Sequence, residues 1–148
     1  MPAIRCRLMA THADLYRFLS EPRNKLAVLG TTNPESGSQT ALVGIAVTGD
    51  LEILFDTVKS SRKYANLIAD PRCSFVCGLG VDATVQFQGV AREVPSDSDL
   101  VRNVYFKAFP DGQSRLTWPG IVHFLVRPTW IRMSDYGDTP PRIDEFQF

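Results

Sequence analysis

Three apolar runs follow one another with connections too short for anything but chain reversal: "KLAVLGT" at 25–31, "TALVGIAV" at 40–47 and "LEILFDT" at 51–57. Parallel neighbours need a crossover of a dozen or more residues, usually a helix. Here the first connection, "TNPESGSQ", is dense in turn residues, and the second is the tight turn at Gly49-Asp50. The order predicts an antiparallel meander.

The rest of the chain fits the same class. "CSFVCGL" and "ATVQFQGVAREV" read as strands paired through a turn over 78–82. In the second, Val85 and Phe87 alternate with Thr84, Gln86 and Gln88, so one face enters the core and the other is exposed or lines a site. "GIVHFLVRPTWIRMS" is a long final strand, interrupted near Pro128 by a bulge or an edge position. The tail "DYGDTPPRIDEFQF" reads as irregular.

Helices punctuate the strands. Thr11 and Asp14 have capping-box spacing ahead of Leu15, Phe18 and Leu19. Tyr64, Leu67 and Ile68 give a short helix one apolar face, and Pro71 ends it. Ser96 and Asp99 repeat the capping spacing before Leu100, Val101, Val104, Tyr105 and Ala108. The expectation is one domain, residues 1–148, mainly β with short α-helices: a six-stranded antiparallel barrel, which avoids exposed sheet edges.

Sixteen basic residues balance sixteen acidic ones, so no global field points to nucleic acid or a membrane surface. No apolar run near the start is long enough for a signal peptide or a span, and a cytoplasmic protein is expected. Cys73 and Cys77 lie about 13 Å apart along one strand, too far for a disulfide. Cys6 stands alone, so all three read as reduced structural thiols. His12 and His123 have no metal-ligand spacing, so no metal is expected. Both read as structural, and an axial haem ligand would have to be one of them, exposed. No nucleophile elbow, P-loop or dinucleotide fingerprint occurs, and "GLGVD" opens no helix.

The stretch "FDTVKSSRKYANLIADPRC" at 55–73 concentrates the functional signal. A helix start carries unsatisfied N–H groups and partial positive charge, so Arg62 and Lys63 in its first turn repel it by about 0.3–1 kcal/mol each. Thr57, Ser60 and Ser61 place three hydroxyls just ahead. A bound phosphate reverses the repulsion, because it attracts the helix end and both bases. The alternative is a serine-capped surface helix whose bases extend into water.

The arrangement strand, "FDTVKSSRK", helix, "DPR", strand, with a hairpin before it and "VQFQGVAREV" after it, resembles the pyridoxamine 5′-phosphate oxidase-like family of FMN-binding split barrels. The resemblance covers residues 25–94 and continues more loosely to the last strand. It implies an FMN cofactor whose phosphate is held by Ser61, Arg62 and Lys63, with Thr57 also reaching it. It further implies that the flavin ring lies along Ala41, Leu42, Val43 and Gly44, with Thr84 or Gln86 touching it. The family is usually a homodimer with the cofactor at the interface, which makes Trp130 and Arg132 candidates to reach across. A core tryptophan beside a solvated arginine is the other reading of that pair.

Departures limit what carries over. Pyridoxamine phosphate oxidases carry cations in the second hairpin strand and an arginine- and histidine-containing motif near the C-terminus. "TALVGIAV" has no cation, and "PPRIDEFQF" has no histidine. Lys107 and Arg115 reach the site only if the loop after the later helix folds over it. The resemblance thus implies fold and FMN site rather than vitamin B6 oxidation. Three readings stay open: a flavin-dependent oxidoreductase of unknown small-molecule substrate, a non-catalytic flavin-binding protein, and an enzyme using a deazaflavin.

Overall fold

The computed structural model describes residues 9–80 and 82–148. Cys6 and Val81, within the turn expected over 78–82, lie outside the described residues. In chain order the strands are β1 (Leu26–Asn33), β2 (Gly37–Gly44), β3 (Ala46–Val47), β4 (Ile53–Val58), β5 (Arg72–Cys77), β6 (Ala83–Val94), β7 (Ile121–Asp135) and β8 (Arg142–Gln147). Helix α1 is His12–Ser20 and α2 is Arg62–Ala69. A third helical segment, α3, runs over 99–108, with Val101–Tyr105 wound as a π-helix and Phe106–Ala108 as an α-helix. A 3₁₀ segment, Pro110–Thr117, leads into β7.

Every strand pair is antiparallel, in the order β2-β1-β5-β6-β7-β4-β3, with β8 added on β7. The two ends of that path, β2 and β3, are consecutive in the chain and meet at Ile45. One bent run therefore closes the sheet on itself, which is a split barrel. Gly44 sits at the bend, where a Cβ would lie 2.7 Å from the Phe109 ring, so the approach needs a glycine.

The expected six strands become eight, for two reasons. "TALVGIAV" divides at the bend into β2 and β3, and the tail expected to be irregular contributes β8, paired with β7 from Trp130↔Gln147 to Asp135↔Arg142. The connection at 32–39 is also shorter than its composition implied. Asn33 Oδ1 accepts the N–H groups of Glu35 and Ser36 at 2.9 and 3.0 Å, which confines the turn to 34–36 and lets both strands run on.

Phe55 stacks on its cross-strand partner Phe124 with centroids 5.5 Å apart, and Phe75 meets Phe87 edge-on at 5.7 Å. All four rings are buried, each contributing about 1.5–3 kcal/mol of apolar burial. The interruption expected near Pro128 is a bulge: Gln88 pairs Trp130 while Gly89 pairs Pro128. Cys73 and Cys77 are free thiols on the core face of β5, and burial pushes both up to about 12.

Two helix details differ from expectation. Ile68 is 60% exposed, and Asn66 takes the buried place beside Leu67. Ser96 does not cap α3; its Oγ pairs with His123 Nδ1 at 2.7 Å, and Ser98 Oγ accepts the Val101 N–H instead. Among the described residues, no helix is long and apolar enough to cross a membrane, and no group of His, Cys, Asp and Glu could hold a metal ion.

Candidate functional site

β4 delivers Thr57 to the start of α2. Thr57 Oγ1 and Ser61 Oγ share a hydrogen bond of 2.9 Å, and Ser61 Oγ accepts the Tyr64 N–H at 3.2 Å. Ser61 is the extended N-cap, which leaves the N–H groups of Arg62 and Lys63 without intrahelical acceptors. Neither the Arg62 nor the Lys63 side chain forms an ion pair among the described residues. Arg62 is exposed and Lys63 half-buried. Ser60 lies exposed in the preceding turn, outside both clefts described next.

Two clefts flank this helix end and share Lys63. The smaller, about 210 Å³, runs between Arg62, Ala41, Thr40 and Leu29. The larger, about 280 Å³, is bounded by Leu42, Val43, Gly44, Thr57, Ser61 and Trp118, with Asp56 in its wall. The expected phosphate-holding and β2 residues are thus brought together, Ser60 excepted.

Buried Asn66 fixes α2 on the hairpin. Its Nδ2 donates to Thr31 Oγ1 at 3.0 Å and Gln39 Oε1 at 2.7 Å, and its Oδ1 accepts from Asn33 Nδ2 at 3.0 Å. Such a satisfied network sets the helix position as sharply as apolar packing does. Sequence reasoning missed it because Asn66 sits off the apolar i, i+3, i+4 pattern.

The loop after α3 does fold over β4, and Arg115 arrives with it. Arg115 Nε donates to Asp56 Oδ2 at 2.8 Å, Nη1 to Asp111 Oδ2 at 2.9 Å, and Nη2 to the Tyr105 hydroxyl at 3.3 Å. Burial disfavours its charge, yet the hydrogen bond and charge of Asp56 outweigh that and raise its pKa. Burial, then the Asp56 charge, raise that of Tyr105. The Trp118 N–H donates to the Arg115 carbonyl at 2.9 Å, and the indole stands 53% exposed at the cleft wall. The sequence signal for Trp118 was an aromatic residue beside Pro119-Gly120, just before a strand. Lys107 lies elsewhere, on a groove with Lys25 and Val47.

His123 pairs across the sheet with Asp56 and is fully buried against Tyr105 and Phe106. Burial lowers its pKa, with Asp56 opposing and Arg115 reinforcing the shift. It has no exposed ring edge to offer a haem iron. His12 is exposed and stacks on Phe148 with centroids 5.3 Å apart.

Thr84, Gln86, Trp130 and Arg132 do not join the clefts within one chain. Gln86 and Arg132 face each other across β6 and β7, as do Gln88 and Trp130, on the outer side of the sheet. One register row runs Leu42, Val28, Val76, Gln86, Arg132, Glu145. Its apolar end is open, with Leu42 60% and Val76 41% exposed, so Leu42 belongs to both the cleft and this outer face.

Chemically, the helix end combines hydroxyls, free N–H groups and two cations without an ion-pair partner among the described residues, which fits a phosphate ester. The adjoining Leu42, Val43 and Trp118 give apolar surface suited to a flat ring.

Comparison with known proteins gives the same frame. Residues 14–134 match the family model described as pyridoxamine 5′-phosphate oxidase. A heme binding protein from Mycobacterium smegmatis is 17% identical with a TM-score of 0.74, covering 95% of this chain and 60% of that one. A conserved hypothetical protein from Mycobacterium tuberculosis is 22% identical at TM-score 0.69, covering 90% and 89%. A pyridoxamine 5′-phosphate oxidase-related, FMN binding protein from Nostoc punctiforme is 11% identical at TM-score 0.62, covering 93% and 92%. No curated protein matches the chain. Since the family match takes in the barrel from α1 to β7 and both flanks of the cleft, the chain belongs to the pyridoxamine 5′-phosphate oxidase family.

Proposed function

We propose that this protein binds FMN and acts as a flavin-dependent oxidoreductase on a small molecule. The observation that carries the reading is the pair of cations, Arg62 and Lys63, opening α2 without a carboxylate partner among the described residues. The FMN phosphate is held there by Ser61, Arg62 and Lys63, with Thr57 orienting Ser61 through their shared hydrogen bond. Ala41, Leu42 and Val43 support the ring. When bound, FMN supplies the hydride or electron transfer; the chain supplies binding, orientation and exclusion of water.

The working form is a homodimer. The open apolar row through Leu42, Val28 and Val76, with Leu26 beside it at 47% exposure, supports this, since such a continuous patch on a sheet face marks an interaction surface. Thr84, Gln86, Trp130 and Arg132 share that outer face, so pairing two sheets brings one subunit's Trp130 and Arg132 towards the other's cleft. Substrates are neutral or weakly charged. Oxidation of a phosphorylated pyridoxamine needs a second cation cluster over the ring, β2 has none, and Arg115 is already engaged by Asp56 and Asp111.

The test is the absorbance spectrum of the purified protein, followed by FMN titration and sedimentation. A flavin spectrum saturating at one FMN per chain on a dimer is expected. A protein that takes up no flavin sinks the proposal, and a deazaflavin or haem band instead replaces the cofactor. The F420 reductase among the structural neighbours, at TM-score 0.60, is the reason for including the deazaflavin outcome. Reoxidation by a substrate after bleaching separates an enzyme from a flavin store.

A further inference from the structure

An acidic residue in the wall of an anion-binding cleft is a contradiction that needs resolving. Asp56 lines the same cleft as Ser61 and Lys63, one residue before Thr57. A phosphate entering there would meet a carboxylate within the range over which charges act at ordinary salt, about 10 Å. We infer that Arg115 is a positioning residue of this cleft: it cancels the Asp56 charge that phosphate would otherwise face, and holds Trp118 at the cleft wall.

Three observations support this. Arg115 and Asp56 are joined at 2.8 Å with both side chains largely removed from water. Each nitrogen of the guanidinium already has a partner, in Asp56, Asp111 and the Tyr105 hydroxyl, so Arg115 is committed to the wall rather than free to grip the anion. The Trp118 backbone N–H donates to the Arg115 backbone carbonyl, so the segment that the ion pair pins to β4 is also the one that carries the indole. The competing account makes the bridge a plain structural latch for the Pro110–Thr117 segment. The two accounts differ in what happens when both charges go together. A latch stays broken; a compensated charge no longer needs compensating.

The inference rests on the anion site proposed above, and the experiment keeps the two separable. Affinities for FMN and riboflavin are measured for the wild type and for Arg115→Gln, Arg115→Lys, Asp56→Asn and the double variant Asp56→Asn/Arg115→Gln. Their ratio isolates the phosphate from the ring. Arg115→Gln should lower the preference for FMN about tenfold or more, as expected for an uncovered charge in a partly buried site. Arg115→Lys should retain most of the preference, and the double variant should return close to the wild-type ratio. Asp56→Asn alone should raise the preference, which keeps the test open if Arg115→Gln does not fold. A double variant as poor as Arg115→Gln, or Asp56→Asn with an unchanged or lower ratio, overturns the inference. A wild type that binds neither flavin sinks the FMN reading. The same variants are then read by thermal shift with inorganic phosphate, where any order other than Asp56→Asn above wild type above Arg115→Gln overturns the inference as well.

Discussion

Helices α1 and α2 begin alike and are charged oppositely. Thr11 Oγ1 accepts the Asp14 N–H at 3.2 Å, and Ser61 Oγ accepts the Tyr64 N–H at 3.2 Å. In α1 the Asp14 carboxylate returns to the Thr11 N–H at 2.7 Å and also holds Arg17 at 3.0 Å. Its capping box is complete, and its dipole is met by an acid. In α2 the first turn holds Arg62 and Lys63 and no acid. The same cap thus opens two helix ends of opposite charge, one carrying an acid and the other two cations.

Removing the positive end should have the largest effect. Replacing Arg62 and Lys63 together by Ala should weaken FMN binding by about 3–6 kcal/mol, from two charge-assisted contacts. Riboflavin binding should change far less. Thr11→Ala, the matching change at α1, should leave both affinities alone. Flavin fluorescence titration of the three proteins checks this, and equal FMN affinity in all of them would erase the functional difference between the helices.

How much of this the sequence disclosed varies with the physics involved. Capping and reversal are local: Thr11 with Asp14, Ser61 before α2, and the short connections between apolar runs were legible because each depends on neighbours in the chain. The cluster at the start of α2 was legible because its members, Thr57, Ser61, Arg62 and Lys63, fall within seven residues, 57–63. The partners of Asn66, Ser96 and Arg115 were not, since they lie far off in sequence: Thr31 and Gln39, His123, and Asp56 respectively. Nothing near Ser96 marks it as a partner for a buried histidine rather than a helix cap. β8 was hidden for a related reason. Each of its faces carries two polar residues and one apolar, Arg142, Asp144 and Phe146 on one and Ile143, Glu145 and Gln147 on the other, so no alternation marks it, and pairing with β7 makes it a strand.

At the closed end, Thr11→Ala should lower stability by about 1 kcal/mol, the usual cost of deleting a hydroxyl cap. Thermal or urea unfolding of the flavin-free protein measures it. The Arg62 and Lys63 double substitution should act in reverse on the same flavin-free protein. It should gain about 0.3–1 kcal/mol per residue at low salt, and the gain should shrink at high salt as the dipole term is screened. A double variant less stable than wild type would mean that these side chains hold the fold together, and α2 would lose its claim to be an anion site kept at a cost in stability.

The smallest expected effect separates the two ends by pH. Hydrogen bonds from the Thr11 backbone and then its hydroxyl hold the Asp14 carboxyl below the usual range, with Arg17 adding to the shift. The folded chain therefore binds this proton less readily than the unfolded one. The stabilisation is fully present above the unfolded value, about pH 3.9, and is lost as pH falls through the folded value. Asp14→Asn should be less stable than wild type at neutral pH, and the difference should narrow below about pH 4. The first turn of α2 holds no acid, and the group expected to titrate near neutrality there is the ligand's phosphate. A phosphate monoester loses its second charge near about pH 6, and FMN affinity should weaken as pH falls through that region. Stability curves and flavin titrations across pH 3.5–8 should thus show two separate windows. If FMN affinity stayed flat through pH 6 while riboflavin behaved identically, the charge at α2 would not be what recognises the ligand.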